Sequence, residues 1–308
     1  MIYTVTLNPA IDKTVVIKNF NPGAVNRVKS VREDPGGKGI NVSKCLKNLG
    51  AESTAAMILA GDTGRRLKTM VENLQIPVLA VWAEGENRTN LKIIDPERME
   101  NTDINEPGPA VNGKLLEELK LAIGSLIRPE DIVILSGSLP AGVDRSLYGA
   151  WTAYFRGLGA CVYLDADGEP MHKGLAAVPY MIKPNDGELA ALLGKNLTVE
   201  EMLQEGKRLH DTGIAEVVIS LGGDGALFVN ADGVFWAEGL KVEVKSTVGA
   251  GDSMVAAMAF GQARKLEREK MLRLAIAMGA ASVMQSGTQS PEADLVWELA
   301  EQVKIKKQ

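Results

Sequence analysis

The sequence predicts an α/β protein: a three-layer α/β/α sandwich on a mostly parallel central sheet, with a small β-sheet lid. Three observations predict it. Short apolar runs recur along the 308 residues, and most are continuous rather than alternating, as in strands buried on both faces. Helical patterns lie between them. Two stretches, 13–33 and 87–106, break that alternation with polar, β-compatible residues and no helix between them.

The strands are expected near 2–7 (IYTVTL), 55–59 (AAMIL), 132–136 (IVILS), 161–165 (CVYLD), 180–183 (YMIK) and 217–221 (VVISL). In 38–49, Ile40, Val42, Cys45, Leu46 and Leu49 share one broad helical face, and Gly50 ends it. Thr198 with Glu201 makes a capping box for a helix running to about His210. Segments 251–265, 269–285 and 292–304 are helical in pattern. Such alternation builds a doubly wound sandwich with right-handed crossovers. The odd stretches 13–33 (KTVVIKN, then RVKSVRE) and 87–106 (NRTNLKIID) read as short antiparallel strands in a sheet appended to it. An appended sheet with a partly apolar face covers the active site, another subunit, or both. No repeat or long linker divides the chain, so one domain spanning 1–308 is expected, with the lid segments interleaved.

Composition narrows the function. Aromatic residues make up only 5%, so the core rests on Val, Ile, Leu, Ala and Met. The net charge is −5 and the one basic cluster is the KIKK near the C-terminus, read as a solvated end. Nucleic acid is therefore not the expected partner. The start MIYTVTLNPAID lacks a basic stretch followed by a long apolar one, and no run approaches the roughly 20 apolar residues of a membrane helix. Cys45 and Cys161 lie far apart with no CxxC spacing, against a disulfide or zinc site. A cytoplasmic protein with no membrane partner is the expectation.

Common catalytic signatures are missing: GxxxxGK[ST], a strand-borne GxGxxG, HExxH and GxSxG. With only two histidines, chemistry falls to carboxylates, lysines or backbone groups. Five glycine-rich or polar stretches are candidates. PGGKGIN at 35–41 sets Lys38 among glycines at the start of a helix, which suits a phosphorylated small molecule and equally a tight turn. SLGGDG at 220–225 follows the strand VVIS, where α/β sheets bind ligands. KPNDGE at 183–188 places Asn185 and Glu188 on one face near a helix start. They could organise Mg²⁺ around phosphates, or simply cap the helix. SGSLPAG at 136–142 fits sugar binding and also any βα loop. In STVGAGD at 246–252, backbone N–H groups around Gly249, Ala250 and Gly251 can line an anion hole. Asp252 then sits at the mouth of an apolar helix, either as a cap or as a base kept ionised by the helix dipole. Each motif is modest alone, yet all fall at strand ends or helix starts of one α/β chain.

TLNPAID at 6–12, GGKGIN at 36–41, SGSLP at 136–140, KPNDGE at 183–188, SLGGDGA at 220–226 and STVGAGDS at 246–253 together resemble the ribokinase-like sugar kinases, phosphofructokinase B group. The likeness runs from residue 2 to about 290, in family order and spacing. It implies a ribokinase-like sandwich whose lid also forms a homodimer contact. It makes Asp252 the catalytic base and the turn of Gly249, Ala250 and Gly251 the cradle of the moving phosphoryl group. ATP would lie over Ser220, Gly222 and Gly225, with Lys183 and Asn185 in its site and Glu188 near Mg²⁺. A sugar phosphate would meet Asp12, Gly37, Lys38, Asn41, Arg88 and Ser138, and a monovalent cation could bind beside 246–248. Within the group, the TLNPAID start and the lysine of GGKG resemble 1-phosphofructokinases and tagatose-6-phosphate kinases. Enzymes acting on fructose 6-phosphate often carry glycine where Lys38 stands. The implied reaction is ATP-dependent phosphorylation of fructose 1-phosphate to the 1,6-bisphosphate. Tagatose 6-phosphate, then fructose 6-phosphate, are alternative substrates. A sugar-phosphate sensor on the same scaffold would have lost Asp252 or its glycines, and both are present.

Overall fold

The run IYTVT, buried at every residue, forms β1 (Ile2–Thr6) inside a ten-stranded sheet. The computed structural model describes all 308 residues. In chain order, β2 (Ala10–Val16) and β3 (Ser30–Gly36) leave the sheet as an antiparallel pair, and α1 (Lys38–Asn48) returns to it. β4 (Thr54–Ala60), α2 (Gly61–Asn73) and β5 (Val78–Ala83) follow, then a second excursion of β6 (Arg88–Asp95) and β7 (Glu100–Asn105). Next come α3 (Gly113–Gly124), β8 (Ile132–Ser136), α4 (Leu147–Gly157), β9 (Cys161–Asp165), α5 (Gly168–Leu175) and β10 (Met181–Ile182). After α6 (Asp186–Leu193), α7 (Val199–Asp211) and β11 (Glu216–Ser220), the hairpin of β12 (Gly225–Asn230) and β13 (Gly233–Glu238) turns back. The chain closes with α8 (Ala250–Ala263), α9 (Arg268–Val283), α10 (Ala293–Ala300) and β14 (Ile305–Lys307).

The sheet order is β14-β13-β12-β11-β10-β9-β8-β1-β4-β5. From β11 to β5 every pairing is parallel, whereas β12, β13 and β14 add an antiparallel edge. Neighbouring residues of one strand feed opposite layers, as the two-residue period of a strand demands. Ile2, Ile134 and Val218 pack with α1, α8, α9 and α10. Tyr3, Val133, Val217 and Ile219 pack beneath α3, α4 and α7. Helices cover both faces, so the sandwich is the expected three-layer one. Helix α8 is apolar on nearly every side and is buried from Asp252 to Gly261, between α1 and α9.

Several details differ from the expectation. The four-stranded lid has the order β3-β2-β6-β7, and its central pair β2–β6 is parallel rather than antiparallel. The reason is topological: β2 continues from β1, and β6 from β5, both leaving the same sheet edge outward. The lid also starts earlier than 13, at Ala10, so Asp12 lies on it. The KIKK tail is not a free end; Ile305–Lys307 pairs with β13 as the outermost strand. The helix expected over 292–304 stops at Ala300. Strands β5, β12 and β13 were not expected. The last two form an antiparallel addition that the βα rhythm does not announce.

No helix is long and apolar enough to cross a membrane.

Candidate active site

Because β1, β8, β9, β10 and β11 are parallel, their carboxyl ends meet at one edge. Ligands of open α/β sheets bind outside that edge. Here a cleft of about 980 Å³ opens between it and the lid. Every candidate named from the sequence lines it: Asp12, Gly37, Lys38, Asn41, Arg88 and Ser138 on one side, and Lys183, Asn185, Glu188, Ser220, Gly222 and Gly225 on the other. Gly249, Ala250, Gly251 and Asp252 lie in its wall.

Two helix starts point into the cleft. At α1, the N-cap Gly37 has φ 118°, and a Cβ there would stand 2.6 Å from the Thr6 methyl. At α8, the N-cap Gly249 is left-handed at φ 85°, and neither helix has a side-chain cap. The first N–H groups of such helices have no intrahelical acceptor, so they can bind an anion. Asp252 does not cap α8. Its Oδ2 accepts 2.8 Å from Asn41 Nδ2, which joins the two helix starts.

Lys38 and Lys183, both named from the sequence, meet at Asp165, which the sequence reading did not single out. Asp165, buried at the end of β9, has Oδ1 3.4 Å from Lys38 Nζ and 3.6 Å from Lys183 Nζ. Burial acts to raise its pKa, but Lys183 and Lys38 outweigh burial and hold it below the ordinary aspartate value. Burial would lower Lys38, yet Asp165, Asp252 and Glu188 together raise it, so it stays charged. Asp252 goes the other way. Burial, with Asp165 as second cause, pushes it up to about 6, against the opposing pull of Lys38, Asn41 and Lys183. The helix dipole is expected to keep Asp252 ionised; desolvation and a like charge act against that, yet a carboxyl group at about 6 is still mostly ionised at neutral pH.

The helix-cap reading of KPNDGE is realised. Asn185 Oδ1 accepts from Glu188 N, and Glu188 Oε2 accepts 2.9 Å from Asn185 N. Glu188 nevertheless lines the cleft, so one side chain serves both readings. Six cleft residues also carry a buried polar atom without a protein partner: Thr6 Oγ1, Asn8 Oδ1, Asn41 Oδ1, Asn90 Oδ1, Ser136 Oγ and Asp165 Oδ2. Such atoms are costly unless a ligand or water satisfies them. Asn90, on the lid, also donates 2.9 Å to Asp12 Oδ1. Of these residues only Asn41 was singled out from the sequence. Thr6, Asn8 and Ser136 lie inside quoted motifs, and Asp165 is the lone charge ending an apolar strand, the one signal that could have marked it.

Residues 5–295 match the pfkB family of carbohydrate kinases. The chain belongs to that family. It is 34% identical over 306 residues to a 1-phosphofructokinase of Bacillus subtilis, covering 99% of each protein. It is 37% identical over 284 residues to that of Escherichia coli, covering 92% of this chain and 91% of the other. Among solved structures, Escherichia coli phosphofructokinase-2 in complex with potassium superposes with a TM-score of 0.92 at 31% identity, covering 98% of both chains. The protein is thus a carbohydrate kinase on the ribokinase-like sandwich. For a kinase the arrangement is chemically apt: two uncapped helix starts able to bind an anion, two lysines sharing a buried carboxylate, and unsatisfied polar atoms in the same cleft.

Proposed function

We propose that this kinase transfers the γ-phosphoryl group of ATP to the 6-hydroxyl of fructose 1-phosphate. The observation that carries the reading is Asp252. It is buried, held by Asn41, and set three residues into a helix whose uncapped start faces the cleft. Asp252 takes the hydroxyl proton as the new O–P bond forms and the bond to the leaving ADP oxygen breaks. The transition state is loose, so positioning and charge stabilisation carry most of the acceleration. The N–H groups at Gly249, Ala250 and Gly251 receive the moving phosphoryl charge. Lys38 and the start of α1 hold the phosphate already on the sugar. Asp12, Asn90, Arg88 and Ser138 hold the sugar itself, and the lid excludes water.

Nucleotide binds along Lys183, Asn185, Ser220, Gly222 and Gly225. A magnesium ion fits this donor set: Glu188 has one carboxylate oxygen not used in its cap, and Asp165 has an unpartnered one. Mg²⁺ usually takes one or two carboxylates, with phosphates and water completing its shell, and it would neutralise charge on the phosphates. A monovalent cation beside Ser246–Val248 is supported by the potassium complex of the Escherichia coli relative. A homodimer through the lid is supported by the exposed Val25, Val28, Val31, Met99 and Ile104 and by the open edges of β3 and β7. A cytoplasmic location fits the two free cysteines.

The testing experiment is an ADP-release assay with fructose 1-phosphate, tagatose 6-phosphate and fructose 6-phosphate side by side. The expected result is a kcat/KM at least about tenfold higher on fructose 1-phosphate. Comparable values on all three sugars overturn the narrow assignment.

A further inference from the structure

Lys44 is buried in the middle of α1, 8% exposed, and the hydrogen bonds of its ammonium all go to oxygens of other segments. Its ammonium donates 3.1 Å to Pro35 O, just ahead of Gly36-Gly37-Lys38, and 2.8 Å to Thr288 O, with Thr288 Oγ1 at 3.4 Å. Thr288 also lines the cleft. Two further side chains repeat this link along the same segment. Arg32 Nη2 donates 3.0 Å to Ser286 O, and Asn48 Nδ2 donates 3.0 Å to Pro291 O. Residues 286–291 are thus laced by their carbonyls to β3 and α1. Gly287, at φ 66°, belongs to this fit, because a Cβ there would run into the Arg32 guanidinium. The other end of the segment is α9, whose Val283 O accepts from Lys245 N at 2.7 Å and Ser246 N at 3.1 Å. That places the laced segment next to the loop that opens into Gly249.

We propose that Lys44 is a positioning residue: by tying Pro35 O to Thr288 O, it fixes the GGKG loop of the sugar side against the segment that follows α9, and through Val283 O that segment's start is bonded to Lys245 and Ser246 ahead of α8. A buried ammonium with carbonyl partners loses heavily if it cannot make them, so it holds these oxygens at fixed spacing. The ATP side, carried by β10, β11 and α6, receives no bond from Lys44 and should be indifferent to it.

The proposal rests on the sugar-phosphate reading above, and the test separates the two. Kinetics of Lys44→Met, Lys44→Arg and Arg32→Ala are run beside the wild type, with hydrogen exchange of unliganded protein over 36–41 and 284–291. Lys44→Met is expected to raise KM for fructose 1-phosphate about tenfold or more and lower kcat, with KM for MgATP within about twofold. Both segments should exchange faster, and Lys44→Arg, which keeps charge and donors, should recover the sugar KM. An unchanged sugar KM, or equal rises in both KM values, overturns the proposal. Should Lys44→Met fail to fold, the partly exposed Arg32→Ala decides: a threefold or so rise in sugar KM alone supports the lacing, and no change overturns it. If the wild type does not phosphorylate fructose 1-phosphate, the substrate reading falls, and exchange in the two segments still judges Lys44.

Discussion

Asn41 donates to Asp252 across 2.8 Å, joining the first turn of α1 to the first turn of α8. The two residues are 211 positions apart in the chain. One bond therefore aligns the loop proposed to receive the sugar phosphate with the loop proposed to receive the moving phosphoryl group.

Asp252→Asn should lower kcat by about three orders of magnitude and leave both KM values within a few-fold, since it keeps the acceptor for Asn41 and removes only the base. Steady-state kinetics check this, and a kcat within about tenfold of the wild type sinks the assignment. The same variant should be more stable than the wild type at neutral pH. A buried acid raised to about 6 holds a proton that the unfolded chain releases nearer 4. Its ionised form thus opposes folding as pH rises through that window, by roughly 3 kcal/mol at most. A higher Tm at pH 7.5 but not at pH 4 is the expected result.

The pH profile of kcat/KM should carry an acid limb near 6, the value to which burial and Asp165 push Asp252. Activity is lost as pH falls through that value, because the base must be unprotonated in the free enzyme.

Asp165→Asn should move that limb to lower pH. It removes a like charge beside Asp252 and frees Lys38 and Lys183 to favour the carboxylate. The lysines lose their shared anchor, so kcat/KM should also drop about tenfold or more on the plateau above the limb. A limb that stays in place shows that Asp165 does not set the base.

Lys38→Ala should raise KM for the sugar phosphate by about tenfold or more while KM for MgATP changes little. An unchanged sugar KM places Lys38 away from the substrate phosphate.

Two glycine substitutions should fail in different ways. At Gly39 a Cβ would lie 2.8 Å from the Val5 carbonyl, a main-chain atom inside the sandwich, so Gly39→Ala should lose about 1–3 kcal/mol of stability. At Gly251 it would meet the Lys183 ammonium at 2.8 Å, the movable end of a side chain. Gly251→Ala should therefore fold normally and turn over slowly. Denaturant unfolding and kcat, measured on both, separate the two cases.

Much of the sandwich is legible in the chain because burial leaves a local mark. IYTVT, IVILS and VVISL read as double-sided strands, and each is one. The hairpin β12–β13 is not legible that way. GALFVN and GVFWAE follow no α-helix, and their place depends on pairing beside β11. The parallel β2–β6 pair is hidden for a related reason: nothing local in KTVVIKN or NRTNLKIID records which way each leaves the sheet.

The site divides along the same line. Glycines, lysines and the carboxylate at helix starts are spelled out in GGKGIN and STVGAGD, because a backbone that must approach an anion needs those residue types there. Asp165 and Lys44 carry no such local sign. A carboxylate shared by two lysines and an ammonium shared by two loops exist only once distant segments meet. The sequence by itself determined the fold class, the candidate loops and the residue types able to handle phosphate. Only the tertiary structure decided that Asp252 is no helix cap but a buried acid tuned to about 6. Charge interactions and desolvation depend on distance through space, and the order of residues along a chain does not contain it.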